Sequence, residues 1–241
     1  GQAHGYHGLT IGTIMDELAR RIAGSSVADF FRREIGDPRG IDFYIATPED
    51  VDPRVRPVLP ASPTPEQLAQ QAQQGGPPPG PDSIPGMTFN VAAQDRTGQR
   101  TEQLPNIRAF RACGQAAAAG VGSARGLARL YAMCADEVDG FPRLLSEATI
   151  AQFGQVQTAG EDLVLRAPTR YGIVFQKADD RLRYGSHQAF GHDGAGGSIA
   201  VADPWHGIAW AWIPRRMSFP GGGDARGAEL AAVLRGCLPG R

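Results

Sequence analysis

No feature of this chain limits its fold more than a change of hydrophobic period partway along it. Up to about residue 165 the apolar residues recur at helical spacing, and beyond it they gather in short, β-rich runs. Ile11, Ile14, Met15, Leu18 and Ile22 make one helical stripe within residues 9–23, and Gly24 stands where helices commonly end in a left-handed residue. Ser25 or Ser26 then caps a second helix with Val27, Phe30, Phe31 and Ile35 as its apolar face, stopped by Asp37-Pro38-Arg39-Gly40. A further helix opens at Ser123 and runs to about Val138, with Leu127, Leu130, Tyr131 and Cys134 in one stripe, and a short one follows Ser146. Tyr171–Gln176, Ser198–Ala202 and Gly207–Ile213 read as strands, the last two as an antiparallel hairpin turning at Asp203-Pro204-Trp205-His206. Asp224 caps a closing helix carrying Leu230, Val233, Leu234 and Leu238. Helices, then strands, then one helix: that order predicts an α+β fold.

Residues 48–86 interrupt the pattern, with 11 of the chain's 19 prolines and the glutamine-rich stretch Pro65–Gln74. Proline lacks an amide donor and breaks helices, so an extended, mostly solvated loop with at most one short helix is expected. It reads as a linker more readily than as a proline-motif docking site. The expected division is a helical domain over residues 1–160, containing this loop, and a segment of strands and closing helix over residues 161–241.

Composition removes several functions. A formal charge of −1 and a pI near 6.6 provide no field to attract nucleic acid or an anionic membrane. No apolar run approaches the roughly 18 residues of a membrane span. Cys113, Cys134 and Cys237 lie far apart without a CxxC pair, and are expected to be reduced, mostly buried thiols of a cytoplasmic protein. No cluster of His, Cys, Asp and Glu has metal-ligand spacing, and no cofactor is implied. Lys177 is the only lysine, so any motif that needs a lysine must use it.

Three segments carry candidate chemistry: Gly5-Tyr6-His7-Gly8 before the first helix, Gly122–Arg129 opening the Ser123 helix, and Phe190–Ser198 between two strand signals. The glycine-rich run Gly194–Ser198 is not a phosphate cradle, because no lysine and no helix follow it. In their order and spacing the three resemble the serine β-lactamase and penicillin-binding-protein superfamily, most closely its class C-like carboxylesterase branch (family VIII esterase-like). The resemblance covers nearly the whole chain except the proline-rich loop. It rests on Tyr6-His7-Gly8, the Gly-x-x-Ser-Thr-Ala-Arg-Asp-Leu-Ala-like start at Gly122–Ala128, His192-x-Gly194, and the closing helix.

The resemblance implies an incomplete β-lactamase-like fold: a helical domain plus the C-terminal part of an antiparallel sheet flanked by helices. It also implies an acyl-enzyme mechanism in which a serine attacks a small-molecule ester or amide carbonyl. Tyr6 takes the place of the tyrosine that accepts the serine's proton, and His192 that of the third-motif cation. Gly194 permits close approach of backbone, and its strand helps bind the carbonyl oxygen. His7 and Gly8 border the substrate. Lactamases carry asparagine where Gly8 stands and usually lysine where His192 stands, so a neutral ester suits this chain better than an anionic lactam. A lactamase or D-Ala-D-Ala peptidase is the alternative.

The family's Ser-x-x-Lys nucleophile is absent, because Val174 stands three residues before Lys177. Since the chain opens on Gly1 rather than methionine, the expectation is a C-terminal part whose partner is the missing N-terminal segment of the same protein. The competing expectations are a non-catalytic binding module and an unrelated α+β interaction protein. Only the hydrolase readings require Tyr6 and His192 to border one carbonyl.

Overall fold

A computed structural model describes residues 3–74, 78–183 and 185–238. The chain divides into two compact units: Gly1–Pro60 with Thr64–Gly122 and Glu161–Ala167, and Ala61–Pro63 with Ser123–Gly160 and Pro168–Arg241.

The first unit is mainly helical. Helix α1 spans Thr10–Ala23 and ends as expected at Gly24, whose φ of 68° lets its N–H reach the Arg20 carbonyl. Helix α2, Val27–Phe31, is capped by Ser26, which accepts the Asp29 N–H at 3.0 Å, and continues into a π-turn over Arg32–Gly36. Phe31 is buried edge-on against Phe43. Strands β1 (Phe43–Tyr44) and β2 (Val121–Gly122) pair antiparallel.

The proline-rich stretch is more ordered than its composition predicts. It contains a 3₁₀ turn at Asp52–Arg54, helix α3 over Pro65–Gln74 and helix α4 over Ile84–Thr88. Capping explains the excess. Thr64 and Gln67 exchange side-chain to backbone hydrogen bonds at 3.3 and 2.8 Å, a capping box with Pro65 at the first helical position. Ser83 caps α4, where Pro85 again occupies the first turn, in which no amide partner is lost. Helices α5 (Val91–Thr97) and α6 (Arg108–Ala112) follow.

The second unit is a sheet between helices. Helix α7, Ala124–Ala135, starts at Ser123, which accepts the Gly126 N–H at 3.0 Å, and α8 spans Glu147–Phe153. Strands β3 (Thr158–Asp162) and β4 (Ala167–Tyr171) pair with each other, and the end that joins them, Glu161–Ala167, belongs to the first unit. Tyr171–Gln176, expected as a strand, is instead a tight turn closed by a Tyr171–Gln176 bridge. Val174 sits there at φ 58°, a strained conformation for a β-branched residue, while Phe175 turns inward against Phe153 and Phe190.

The main sheet has strand order β5 (Phe190–Asp193), β6 (Ile199–Asp203), β7 (Ile208–Trp212), all antiparallel. All five residues of β6 are buried. Register and alternation give each face a distinct chemistry. One face carries Ile199, Val201, Trp210 and Trp212, packed with Leu182 and Ala189. Helix α9, Ala225–Gly236, covers it at Gly227, where a Cβ would lie 2.8 Å from Trp212 Cδ1. The other face carries Ala200, Ala202, Ala209 and Ala211 beside Phe190 and His192, and these small side chains admit α7. So the helix that opens at Ser123, grouped by sequence with the helical part, packs on the sheet. Tyr131 on α7 meets Phe175, which with Phe153 and Phe190 completes an aromatic cluster.

Two details differ from the periodicity. On α1 the stripe residues Ile14, Leu18 and Ile22 are exposed, and the buried residue is Gly12, whose Cβ would meet Ala117 N at 2.6 Å. On α9 Leu230 and Val233 face solvent, while Gly227 and Ala231 are buried. Close approach selects the small-residue face in both helices. Cys113 and Cys237 are exposed, contrary to the expectation of mostly buried thiols, and Cys134, pushed up to about 11 by burial, is held as a thiol. No helix among the described residues is long and apolar enough to cross a membrane.

Candidate active site

The residues singled out by sequence fall in both units: Tyr6, His7 and Gly8 in the first, His192 and Gly194 in the second.

Tyr6 lies in the irregular segment that precedes α1, where local structure alone cannot hold it. The segment is fixed instead to residues 162–165, far along the chain. His4 forms a parallel bridge with Asp162, and its carbonyl accepts the Leu163 N–H at 3.0 Å. Asp162 is fully buried. Its Oδ1 accepts three backbone N–H groups, from Tyr6 at 3.0 Å, Val164 at 2.8 Å and Leu165 at 2.9 Å. Gly5 passes against Val164 so closely that a Cβ would sit 3.0 Å from Cγ2.

The Tyr6 ring is constrained as well. A Cβ on Gly8 would stand 2.7 Å from Tyr6 Cε1 and 3.4 Å from Phe89 Cε1. Glycine at this position is therefore a packing requirement of the tyrosine ring. His7 is exposed, with Nδ1 3.3 Å from the Gly5 carbonyl.

In the second unit, His192 is half-buried on β5 and pairs with Ala200. Its Nδ1 lies 2.5 Å from the Asp193 carbonyl oxygen. A carbonyl can only accept, so Nδ1 carries the proton of this bond. Asp193 points to the opposite face, as strand alternation requires. Its carboxylate accepts from Arg181 Nη1 at 2.8 Å and Gly223 N at 2.6 Å, and its N–H donates to Gln176 Oε1 at 2.9 Å. The Asp193 carboxylate therefore ties β5 to the segment that enters α9, and it is the backbone carbonyl of Asp193, not this carboxylate, that bonds the imidazole.

Gly194 begins the hairpin between β5 and β6. Its N–H donates to the Ser198 carbonyl at 2.8 Å, and a Cβ would meet Ser198 Oγ at 2.6 Å. The Gly194 amide is therefore taken up within the hairpin itself. Ala195, next in the chain, is exposed and its N–H donates to no protein acceptor among the described residues. Gly197 adopts φ 99° and packs against Ser218, and the Ser218 N–H bonds to the Gly196 carbonyl at 3.1 Å, so the hairpin tip is braced from outside.

Lys177 is buried at 4% exposure and donates to the carbonyls of His187, at 3.0 Å, and Ala189. Burial lowers its pKa to about 8, partly offset by Asp203. It anchors the approach to β5. His206 sits in the expected turn with Nδ1 2.8 Å from Asp203, and His187 in a loop against Trp205.

Sequence reasoning missed Asp162, Phe89 and Gln176. Asp162 had only a weak signal, a carboxylate followed by three aliphatic-rich residues that it caps as a turn.

Known proteins resemble the chain over nearly its whole length. Residues 1–234 match the family model described as Beta-lactamase. The chain is 28% identical over 228 residues to Esterase/beta-lactamase LipL of Mycobacterium tuberculosis (strain ATCC 25618 / H37Rv), covering 89% of this chain and 49% of LipL. The structure of EstA from Arthrobacter nitroguajacolicus Rue61a is 37% identical with a TM-score of 0.83, covering 98% of this chain and 60% of that one. A family VIII carboxylesterase gives 28% identity and a TM-score of 0.77, covering 98% and 59%. A penicillin-binding-protein homologue from Caulobacter crescentus gives 28% and 0.71, covering 97% and 59%. The chain thus spans about half to three-fifths of the length of these relatives. With nearly all its residues matched and its helices and antiparallel sheet shared, the chain belongs to the beta-lactamase family.

Proposed function

We propose that this chain is part of a serine hydrolase that cleaves carboxylic esters through an acyl-enzyme. The nucleophile belongs to a Ser-x-x-Lys segment that the 241 residues do not contain. In the proposed cycle the serine oxygen attacks the ester carbonyl and its proton passes to Tyr6. The alcohol leaves with a proton, and water then hydrolyses the acyl-serine. A free tyrosine has a pKa of about 10, so Tyr6 accepts a proton near neutrality only beside positive charge, which the motif lysine would supply. His192 orients substrate by hydrogen bonding, and the Ala195 N–H donates to the developing oxyanion. His7 and Gly194 border the substrate.

One observation favours an ester over a lactam. Position 8, where lactamases carry an amide side chain that contacts the substrate, is closed by the Tyr6 ring at 2.7 Å from any Cβ. The similar family VIII carboxylesterase, and LipL, whose name joins esterase with beta-lactamase, support the same reading.

The test uses the protein extended in cis by its Ser-x-x-Lys segment. Hydrolysis of p-nitrophenyl butyrate, blocked by a serine-directed phosphonate, is expected to exceed hydrolysis of nitrocefin in kcat/KM. The reverse preference would make lactam hydrolysis the function. The 241 residues alone are expected to turn over neither substrate.

A further inference from the structure

We infer that Asp162 is the positioning residue of Tyr6, an inference that rests on the acyl-transfer role proposed for that tyrosine. Tyr6 precedes α1 in an irregular stretch, outside helix and sheet. Its backbone N–H is held by a carboxylate 156 residues away in sequence, through a bond to Oδ1 of 3.0 Å. The same oxygen accepts from Val164 and Leu165, so the carboxylate is pinned by its own turn before it reaches Tyr6. Its full burial keeps water from competing for that acceptor.

The clamp acts together with a second constraint at the other end of the residue. The ring of Tyr6 occupies the space a Cβ at Gly8 would take, with Phe89 alongside. Backbone and ring are thus fixed by different partners, which leaves the phenol little freedom to swing. Proton transfer is steeply sensitive to such placement, since an ångström of misplacement can cost about 10²-fold. Asp162 does this by accepting hydrogen bonds, all three at the single oxygen Oδ1, so asparagine, which keeps an acceptor oxygen, is the conservative replacement.

The experiment compares Asp162→Asn and Asp162→Ala in the extended protein, at a temperature where each is folded by circular dichroism. Asp162→Ala is expected to lower kcat about 10- to 100-fold with KM nearly unchanged, and Asp162→Asn to retain most of kcat. Independently, 3-fluorotyrosine incorporation, with the residue 6 line assigned by its loss in Tyr6→Phe, reads the placement of the ring itself. One sharp ¹⁹F line is expected in the parent and in Asp162→Asn, and a broadened or split line in Asp162→Ala. An unchanged line and unchanged kcat in Asp162→Ala would overturn the inference, as would an Asp162→Asn variant as impaired as Asp162→Ala. If Tyr6→Phe is fully active, the acyl-transfer reading fails. The ¹⁹F line then still decides whether Asp162 places Tyr6.

Discussion

Lys177, which the sequence excludes from the Ser-x-x-Lys motif and gives no other part, makes a sharp prediction once its surroundings are known. As the only lysine it was the residue to check against Ser-x-x-Lys, yet its environment is that of a buried anchor between two carbonyls. Burial takes its pKa to about 8 from an ordinary 10.5. Between those values the unfolded chain binds the extra proton, so stability rises with pH through that window and the rise stops above it. Below about pH 8 both states are protonated and the contribution is flat. In the extended protein, urea unfolding at pH 8 and pH 10 should show this gain, at most about 1 kcal/mol per pH unit, and Lys177→Met should lose it. An equal pH response in parent and variant would show that the amine stays charged in the fold. Tyr6 makes the converse point: its position suggested chemistry, but what fixes it, Asp162, comes from residues that carry no motif.

At the scale of elements, boundaries set by capping or tight turns were legible and faces set by close approach were not. Gly24, Ser26, Ser123 and Asp224 end or start helices as their chemistry requires, and the Asp203–His206 turn joins β6 to β7. The faces of α1 and α9 were misread because apolar spacing marks large side chains, whereas Gly12, Gly227 and Ala231 make the close contacts. Strands β3 and β4 escaped notice because Thr158–Asp162 and Ala167–Tyr171 are polar and do not alternate. The proline-rich stretch hid a capping box at Thr64–Gln67. Gly227→Ala tests the close-approach argument. Its methyl would meet Trp212 at 2.8 and 2.9 Å, against a ring that cannot bend away. A loss of roughly 1–3 kcal/mol in urea unfolding is expected, although alanine is the better helix former. A gain in stability would mean that α9 packs less tightly than the geometry states.

At the scale of the whole molecule, both units leave apolar or unpaired structure open. Ile14, Leu18 and Ile22 line one exposed face of α1, and among the described residues β7 pairs only with β6. Such surfaces favour association and loose packing. The isolated 241-residue chain is therefore expected to bind the dye ANS and to melt broadly, and the extended protein to melt sharply without dye binding. A sharp, reversible melt of the 241 residues as a monomer would favour a self-contained, non-catalytic module. The acyl-transfer account itself turns on one hydroxyl. The most direct measurement is steady-state hydrolysis of p-nitrophenyl butyrate by the extended protein and its Tyr6→Phe variant, which removes the phenol oxygen and keeps the ring seated over Gly8. The account predicts a fall in kcat of about 10²–10⁴-fold with the fold intact, and a variant that turns over at the parent rate would contradict it.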